Sequence, residues 1–160
     1  MSREVFLQKD AKIAKSDSQR TMHAKFARAD ELSRIAIGAA IEVHKLKGPG
    51  LIESIYEKCL MRELELQGVP ATQQVRVPIE YKGLTFDESL RIDILIEQHL
   101  VLELKAVEKV MPVHKAQLLS YMKLLDAPLG LIINFHSSRL IDGVSRLILQ
   151  GADTPSPPYE

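Results

Sequence analysis

The stretch Arg91-Ile-Asp93-Ile-Leu-Ile-Glu97-Gln-His99-Leu-Val-Leu-Glu103-Leu-Lys105 decides how this chain folds. It reads as two alternating strands joined by a tight turn. Side chains point to opposite faces in turn, so Leu90, Ile92, Ile94 and Ile96 share one face and leave Arg91, Asp93 and Leu95 on the other. On the second strand Leu100, Leu102 and Leu104 share a face, and Val101, Glu103 and Lys105 take the opposite one. A three-residue turn over 97–99 pairs Ile96 with Leu100 and sets Asp93 opposite Glu103. A two-residue turn would set Asp93 against Leu104 and mix the apolar and charged faces, so the pattern selects the first register.

Directly opposed residues lie about 4.5–5.5 Å apart at Cβ. Two carboxylates at that distance repel unless a hard cation lies between them. Mg2+ typically takes one or two carboxylates together with substrate phosphate. Lys105 completes an Asp, Glu-x-Lys constellation. As a plain surface ion cluster it would be worth only ~0–1 kcal/mol. Two acids facing each other beside one lysine, within otherwise apolar strands, favour a metal site.

Composition sets the bounds. The 160 residues suit one domain, and 46% hydrophobic residues suffice for a core. Lysine plus arginine equals aspartate plus glutamate at 21 each, which argues against a general polyanion binder but leaves room for a local basic groove. The single Cys59 excludes an internal disulfide and fits a reducing compartment. The polar, charged start is not a secretory signal. The apolar runs at 35–41 and 129–135 are far short of the ~18 residues that span a bilayer. These features together predict a cytoplasmic protein.

Residues 1–29 carry seven basic side chains against three acids and no sustained apolar stripe. They read as a flexible basic arm with room for a helical piece, and a solvated extension is favoured over a nucleic-acid contact. Leu32, Ile35, Ala36, Ala39, Val43 and Leu46 follow helical spacing, with Asp30 or Ser33 as the start. Gly48-Pro49-Gly50 ends that helix. A second helix buries Ile52, Ile55, Cys59, Leu60 and Leu64 and stops at Gly68-Val-Pro70. Glu53 lies in its first turn, where the helix dipole favours an anion, and Tyr56 is on the same side.

Residues 72–81 form a strand in which Pro78 marks an edge or a bulge. After Lys105, Pro112 opens a helix over 112–126 that buries Ala116, Leu118, Leu124 and Leu125, with His114, Gln117 and Tyr121 in a polar line. Pro128 breaks it, and 129–135 is a fully buried strand. Residues 144–149 form a last strand or a short helix. The tail, 151–160, holds three prolines and is expected to be disordered. The domain thus covers 30–150: an α/β fold with a mixed sheet of a three-strand meander, a crossover helix and a buried fourth strand, flanked by helices.

Gly50-Leu-Ile-Glu53-Ser-Ile-Tyr56 resembles the signature of the GxxExxY proteins, members of the PD-(D/E)xK nuclease superfamily with a restriction-endonuclease-like core. Asp93, Glu103-Leu104-Lys105 and His114-x-x-Gln117-Leu-Leu-x-Tyr121 match in order, so the resemblance covers about 32–149. Lys47 stands where the family usually has leucine. The resemblance implies a Mg2+- or Mn2+-dependent nuclease. Asp93, Glu103 and the carbonyl of Leu104 would hold the metal, while Lys105, with Glu53 and Gln117, would serve catalysis. It also implies nucleic acid as partner, with DNA favoured over RNA, and a homodimer. Arg76, Arg91, Lys109, Lys115, His114 and Tyr121 are candidate substrate contacts, although Tyr121 reads better as core and His114 equally well as structural. His44 reads as structural. Walker, dinucleotide, zinc and serine-elbow patterns are absent. The alternative is a non-catalytic module that keeps the fold to bind nucleic acid or a protein.

Overall fold

The computed structural model describes residues 3–154, apart from the side chain of Phe6. The elements are α1 (Arg3–Lys47), α2 (Glu53–Leu66), β1 (Ala71–Tyr81), β2 (Leu84–Ile96), β3 (Leu100–Lys105), α3 (Pro112–Leu125), β4 (Leu129–Asn134) and, after a 3-10 turn over Leu140–Gly143, β5 (Val144–Ile148). The strands form one sheet in sequence order. β1, β2 and β3 are an antiparallel meander, α3 crosses over to bring β4 parallel to β3, and β5 closes the sheet antiparallel to β4. The expected meander, crossover helix and buried strand are all present. The residues at 144–149, open between strand and helix, pair with β4 as a fifth strand.

The sheet separates two apolar layers. On one side Leu32, Ala36, Ala39 and Val43 of α1 and Tyr56, Leu60 and Leu64 of α2 pack on Ile94, Ile96, Leu100, Leu102, Leu104 and alternate residues of β4. On the other, Leu118, Tyr121 and Met122 of α3 cover Val77, Ile92, Leu95, Val101 and Ile132. Such burial is worth roughly 1.5–3 kcal/mol per large apolar side chain. Pro78 lies in the edge strand, where the β1–β2 register shifts between Pro78 and Glu80, as its sequence position predicts.

Several expectations change. Residues 3–29 are not a loose arm: one continuous helix runs from Arg3 to Lys47. No Gly or Pro occurs before Gly38, and the segment is rich in Ala, Lys, Gln and Arg, all good helix formers. The described side chains at 3–15 are exposed, which is why no apolar stripe marks them. Asp30 and Ser33 do not cap a helix start. They bind Arg146 of β5, through Asp30 Oδ1 and at 2.9 Å through Ser33 Oγ, and so tie α1 to the sheet. Nearer the middle of the sheet, Arg28 forks onto Glu97 in the β2–β3 turn at 2.7 and 2.8 Å.

Leu46, Ile52 and Ile55 are exposed, and the α2 stripe is Tyr56, Leu60 and Leu64. On α3, Ala116 and Leu124 face solvent while Tyr121 and Met122 are buried. Of the tail, 151–154 form a turn with Ala152 buried, and 155–160 lie outside the described residues.

The strict alternation of β2 also fails at one point. Ile94 and Ile96 pack under α1 and α2, whereas Ile92 and Leu90 pack under α3. The neighbouring strand does the same: Ala71 packs with the first layer, Val75 and Val77 with the second. Ile94 pairs with Gln73 and Ile92 with Val75, so both strands change face at Gln74 and Asp93. Gln74 has φ 53, a left-handed conformation. For a residue other than glycine such a conformation costs of order 1–3 kcal/mol, and it marks functional sites.

Candidate active site

The turn at 97–99 has the expected register. Ile96–Leu100, Leu95–Val101 and Ile94–Leu102 pair, and there the β2–β3 ladder ends. Asp93 and Glu103 are the next residues on the two strands. Instead of a main-chain partner, the Leu104 N–H donates to Asp93 Oδ2 at 2.8 Å. The Asp93 carboxylate thus takes the place of a main-chain acceptor where the ladder ends.

Glu103 is 6% exposed. Lys105 Nζ donates to its Oε1 at 3.2 Å, and its buried Oε2 has no hydrogen-bond partner. Burial, then the negative charge of Asp93, pushes the Glu103 carboxyl up to about 7, against the pull of Lys105. Asp93 is also raised, by burial above all, with the Leu104 N–H and Lys105 opposing it and Glu53 adding repulsion.

Lys105 is held by main chain on both sides. The Phe135 N–H donates to its carbonyl at 2.8 Å. The Asn134 side chain, 4% exposed, then clamps the next loop. Its Nδ2 donates to the Val107 carbonyl at 2.8 Å, and its Oδ1 accepts from the Val107 N–H at 3.1 Å. The end of β3 is therefore fixed by β4.

Glu53 opens α2, after a loop set by Gly48 (φ 68) and Gly50 (φ 104), conformations that glycine adopts freely. The Tyr56 hydroxyl pins that loop, donating to the Gly48 carbonyl at 2.5 Å and accepting from the Leu51 N–H at 3.1 Å. Its ring stacks on Phe135 with centroids 4.3 Å apart. Tyr56 is thus a core residue with a satisfied hydroxyl, and it ties Glu53 to the strand that holds Lys105.

A cavity of about 560 Å3 opens between α2 and the sheet, lined by Leu51, Ile52, Glu53, Glu57, Gln74 and Asp93 among others. Another hollow, about 770 Å3, lies near the end of α2 and the start of β1. It contains none of the constellation, so chemistry rather than size places the site. Glu57 and Gln74 were missed by sequence reasoning, though Glu57 follows Glu53 by four residues and so shares its helix face. Gln74 Nε2 donates to Glu57 Oε2 at 2.7 Å, and the same side chain lies beside Asp93 and favours its ionised form. Asn134 was missed too, though it is the lone polar side chain in the run 129–135.

Tyr121 is buried, and its hydroxyl is raised first by burial and then by the charge of Glu103, with the neighbouring Gln117 side chain opposing the shift. α3 thereby brings Tyr121 and Gln117 beside the site. His114 caps α3: its Nδ1 accepts from the Met111 N–H at 3.0 Å. His44 Nε2 contacts the Ser137 carbonyl at 2.9 Å, a structural role. Arg76 and Arg91 stand directly opposite each other on β1 and β2, both exposed. Lys109 and Lys115 are exposed on the loop before α3 and on its first turn.

The donors suit a hard divalent cation. They are carboxylate oxygens, and one of them is buried, raised in basicity and lacks a donor. Among the described residues no three His, Cys, Asp or Glu side chains are grouped to cage an ion alone. A cation here would therefore draw further oxygens from main chain, water or substrate.

A fold with a mixed sheet whose third strand ends in Glu-x-Lys, faced by an aspartate on the second, defines a nuclease-like class. The profile of the PD-(D/E)XK nuclease superfamily matches residues 30–147, and the chain belongs to that superfamily. No curated protein and no solved structure matches the chain. Nucleases of this superfamily usually use divalent metals and act on nucleic acid. No helix among the described residues is long and apolar enough to cross a membrane.

Proposed function

We propose that the protein is a member of the GxxExxY group within this superfamily and hydrolyses phosphodiester bonds of nucleic acid with Mg2+ or Mn2+. The observation that carries the reading is Glu103: a buried carboxylate with one oxygen on Lys105 and the other unpartnered, next to Asp93. Asp93 and Glu103, with the Leu104 carbonyl, would hold the ion. When bound, such an ion polarises phosphate and lowers the pKa of water. Lys105 Nζ orients the attacking water or neutralises charge developing on the phosphate. Its contact with Glu103 fixes it for that task. Glu53 and Gln117 order solvent at the rim, and the Arg76–Arg91 pair, two like charges held opposite each other, is suited to a phosphate backbone, as is Lys109. DNA is the favoured substrate, and a homodimer acting on two strands is the favoured assembly.

The test is incubation of the protein with DNA and with RNA in Mn2+, beside Asp93→Ala and Lys105→Ala. Cleavage by the wild type that both substitutions abolish, with circular dichroism unchanged, supports the reading. Cleavage that survives both overturns it.

A further inference from the structure

Three carboxylates, Glu53, Glu57 and Asp93, line one cavity, and a single neutral side chain from the edge strand, Gln74, lies among them. Its amide spends one N–H on Glu57 Oε2 at 2.7 Å, and it shares the cavity lining with Asp93, whose ionised form it favours. Oδ2 of the Asp93 carboxylate is taken by the Leu104 N–H. Gln74 reaches this place only because its backbone is left-handed, at φ 53, where β1 and β2 change face. Nothing in the packing of β1 needs that conformation of a glutamine: the residue is exposed and contributes nothing to either apolar layer. A glycine would satisfy the kink at less cost.

We propose that Gln74 is a positioning residue for the metal site, bridging Glu57 of α2 to Asp93 of β2 and fixing the orientation of the Asp93 carboxylate. The proposal rests on the reading of Asp93 as a metal ligand. The physical logic is that of outer partners elsewhere: a ligating carboxylate that is itself hydrogen-bonded is held in one orientation, and losing such a partner commonly weakens metal binding 10–100-fold. An amide suits this place better than a cation or an acid. Its two N–H groups can serve two carboxylates without cancelling the charge that draws the cation, and without adding a fourth negative group.

The test uses the full chain and two readouts: Mn2+ affinity by calorimetry and thermal melting in EDTA. Gln74→Gly removes the amide and relieves the left-handed backbone. Gln74→Ala removes the amide and keeps the strain. Asp93→Ala marks the underlying site. The expected result is that both Gln74 variants bind Mn2+ roughly ten-fold more weakly, while Gln74→Gly melts at or above the wild-type temperature. A residue with only a structural role would not lose affinity in a variant that melts no lower. Wild-type affinity in both Gln74 variants, with binding lost in Asp93→Ala, overturns the positioning role and leaves the metal site standing. Failure of the wild type to bind Mn2+, or binding that persists in Asp93→Ala, overturns the site reading and this inference together.

Discussion

The charge on Glu103 gives the sharpest prediction. The group is 6% exposed and its carboxyl is raised from the ordinary 4.5 to about 7. In this interval the native state binds more protons than the unfolded state, so metal-free stability falls as pH rises from about 4.5 to 7 and is flat above that range. At about 1.4 kcal/mol per pKa unit, the ionised group costs roughly 3 kcal/mol at pH 8. Glu103→Gln keeps the shape and removes the charge. In EDTA at pH 8 it should therefore raise the melting temperature, by about 6–12 °C at about 2–4 °C per kcal/mol for a chain of this size. At pH 5 the gain should shrink to less than about 1 kcal/mol, because the native carboxyl is already largely protonated. Adding Mn2+ at pH 8 should stabilise the wild type far more than the variant and close the gap. The assay is thermal melting of both proteins from pH 5 to 8.5, with and without metal. A variant no more stable than wild type at pH 8 in EDTA would refute the claim that a charge only partly compensated by Lys105 is buried at the end of β3.

Asn134→Ala should destabilise by about 1–3 kcal/mol, since it leaves the Val107 N–H and carbonyl without their partner, and should lower cleavage by loosening the main chain after Lys105; denaturant unfolding and a cleavage assay check both. Tyr56→Phe keeps the stack on Phe135 and removes two hydrogen bonds, so it should cost about 1–2 kcal/mol in urea melts and make amides at 48–51 exchange faster by mass spectrometry. Deleting residues 1–15 should leave the melting temperature within about 2 °C, because the described side chains at 3–15 are exposed; a loss of the cooperative transition would contradict that placement.

The β2–β3 stretch was legible because its register is over-determined. Apolar residues on both strands, and the charged pair between them, all require the same turn, and Ile96 does pair with Leu100. The crossover and the buried β4 followed from Pro112, Pro128 and an apolar run of the right length. Alternation could not show the face change at Gln74 and Asp93, because a left-handed residue inside a strand leaves no mark in a polar/apolar pattern. Stripe counting failed on α2 and α3 because one helix layer covers only part of each helix: Ile52, Ile55 and Leu124 lie beyond the sheet's reach, while two tyrosines fill the core. The start of α1 was misread for the opposite reason. Helix propensity without packing gives no periodic signal, and the described side chains at 3–15 pack on nothing.

The length of α1 has a consequence for how the molecule behaves in solution. Its 45 residues make a rod about 68 Å long, whereas a compact unit the size of residues 30–147 is only about 35 Å across. The first part of the rod, where the described side chains at 3–15 are exposed, therefore has nothing to lie on. Rotational diffusion should be anisotropic, with amide relaxation depending on the angle each bond makes with that axis. Sedimentation should be slower than for a sphere of 18.0 kDa, so a gel-filtration volume read against globular standards would overstate the mass and mimic a dimer.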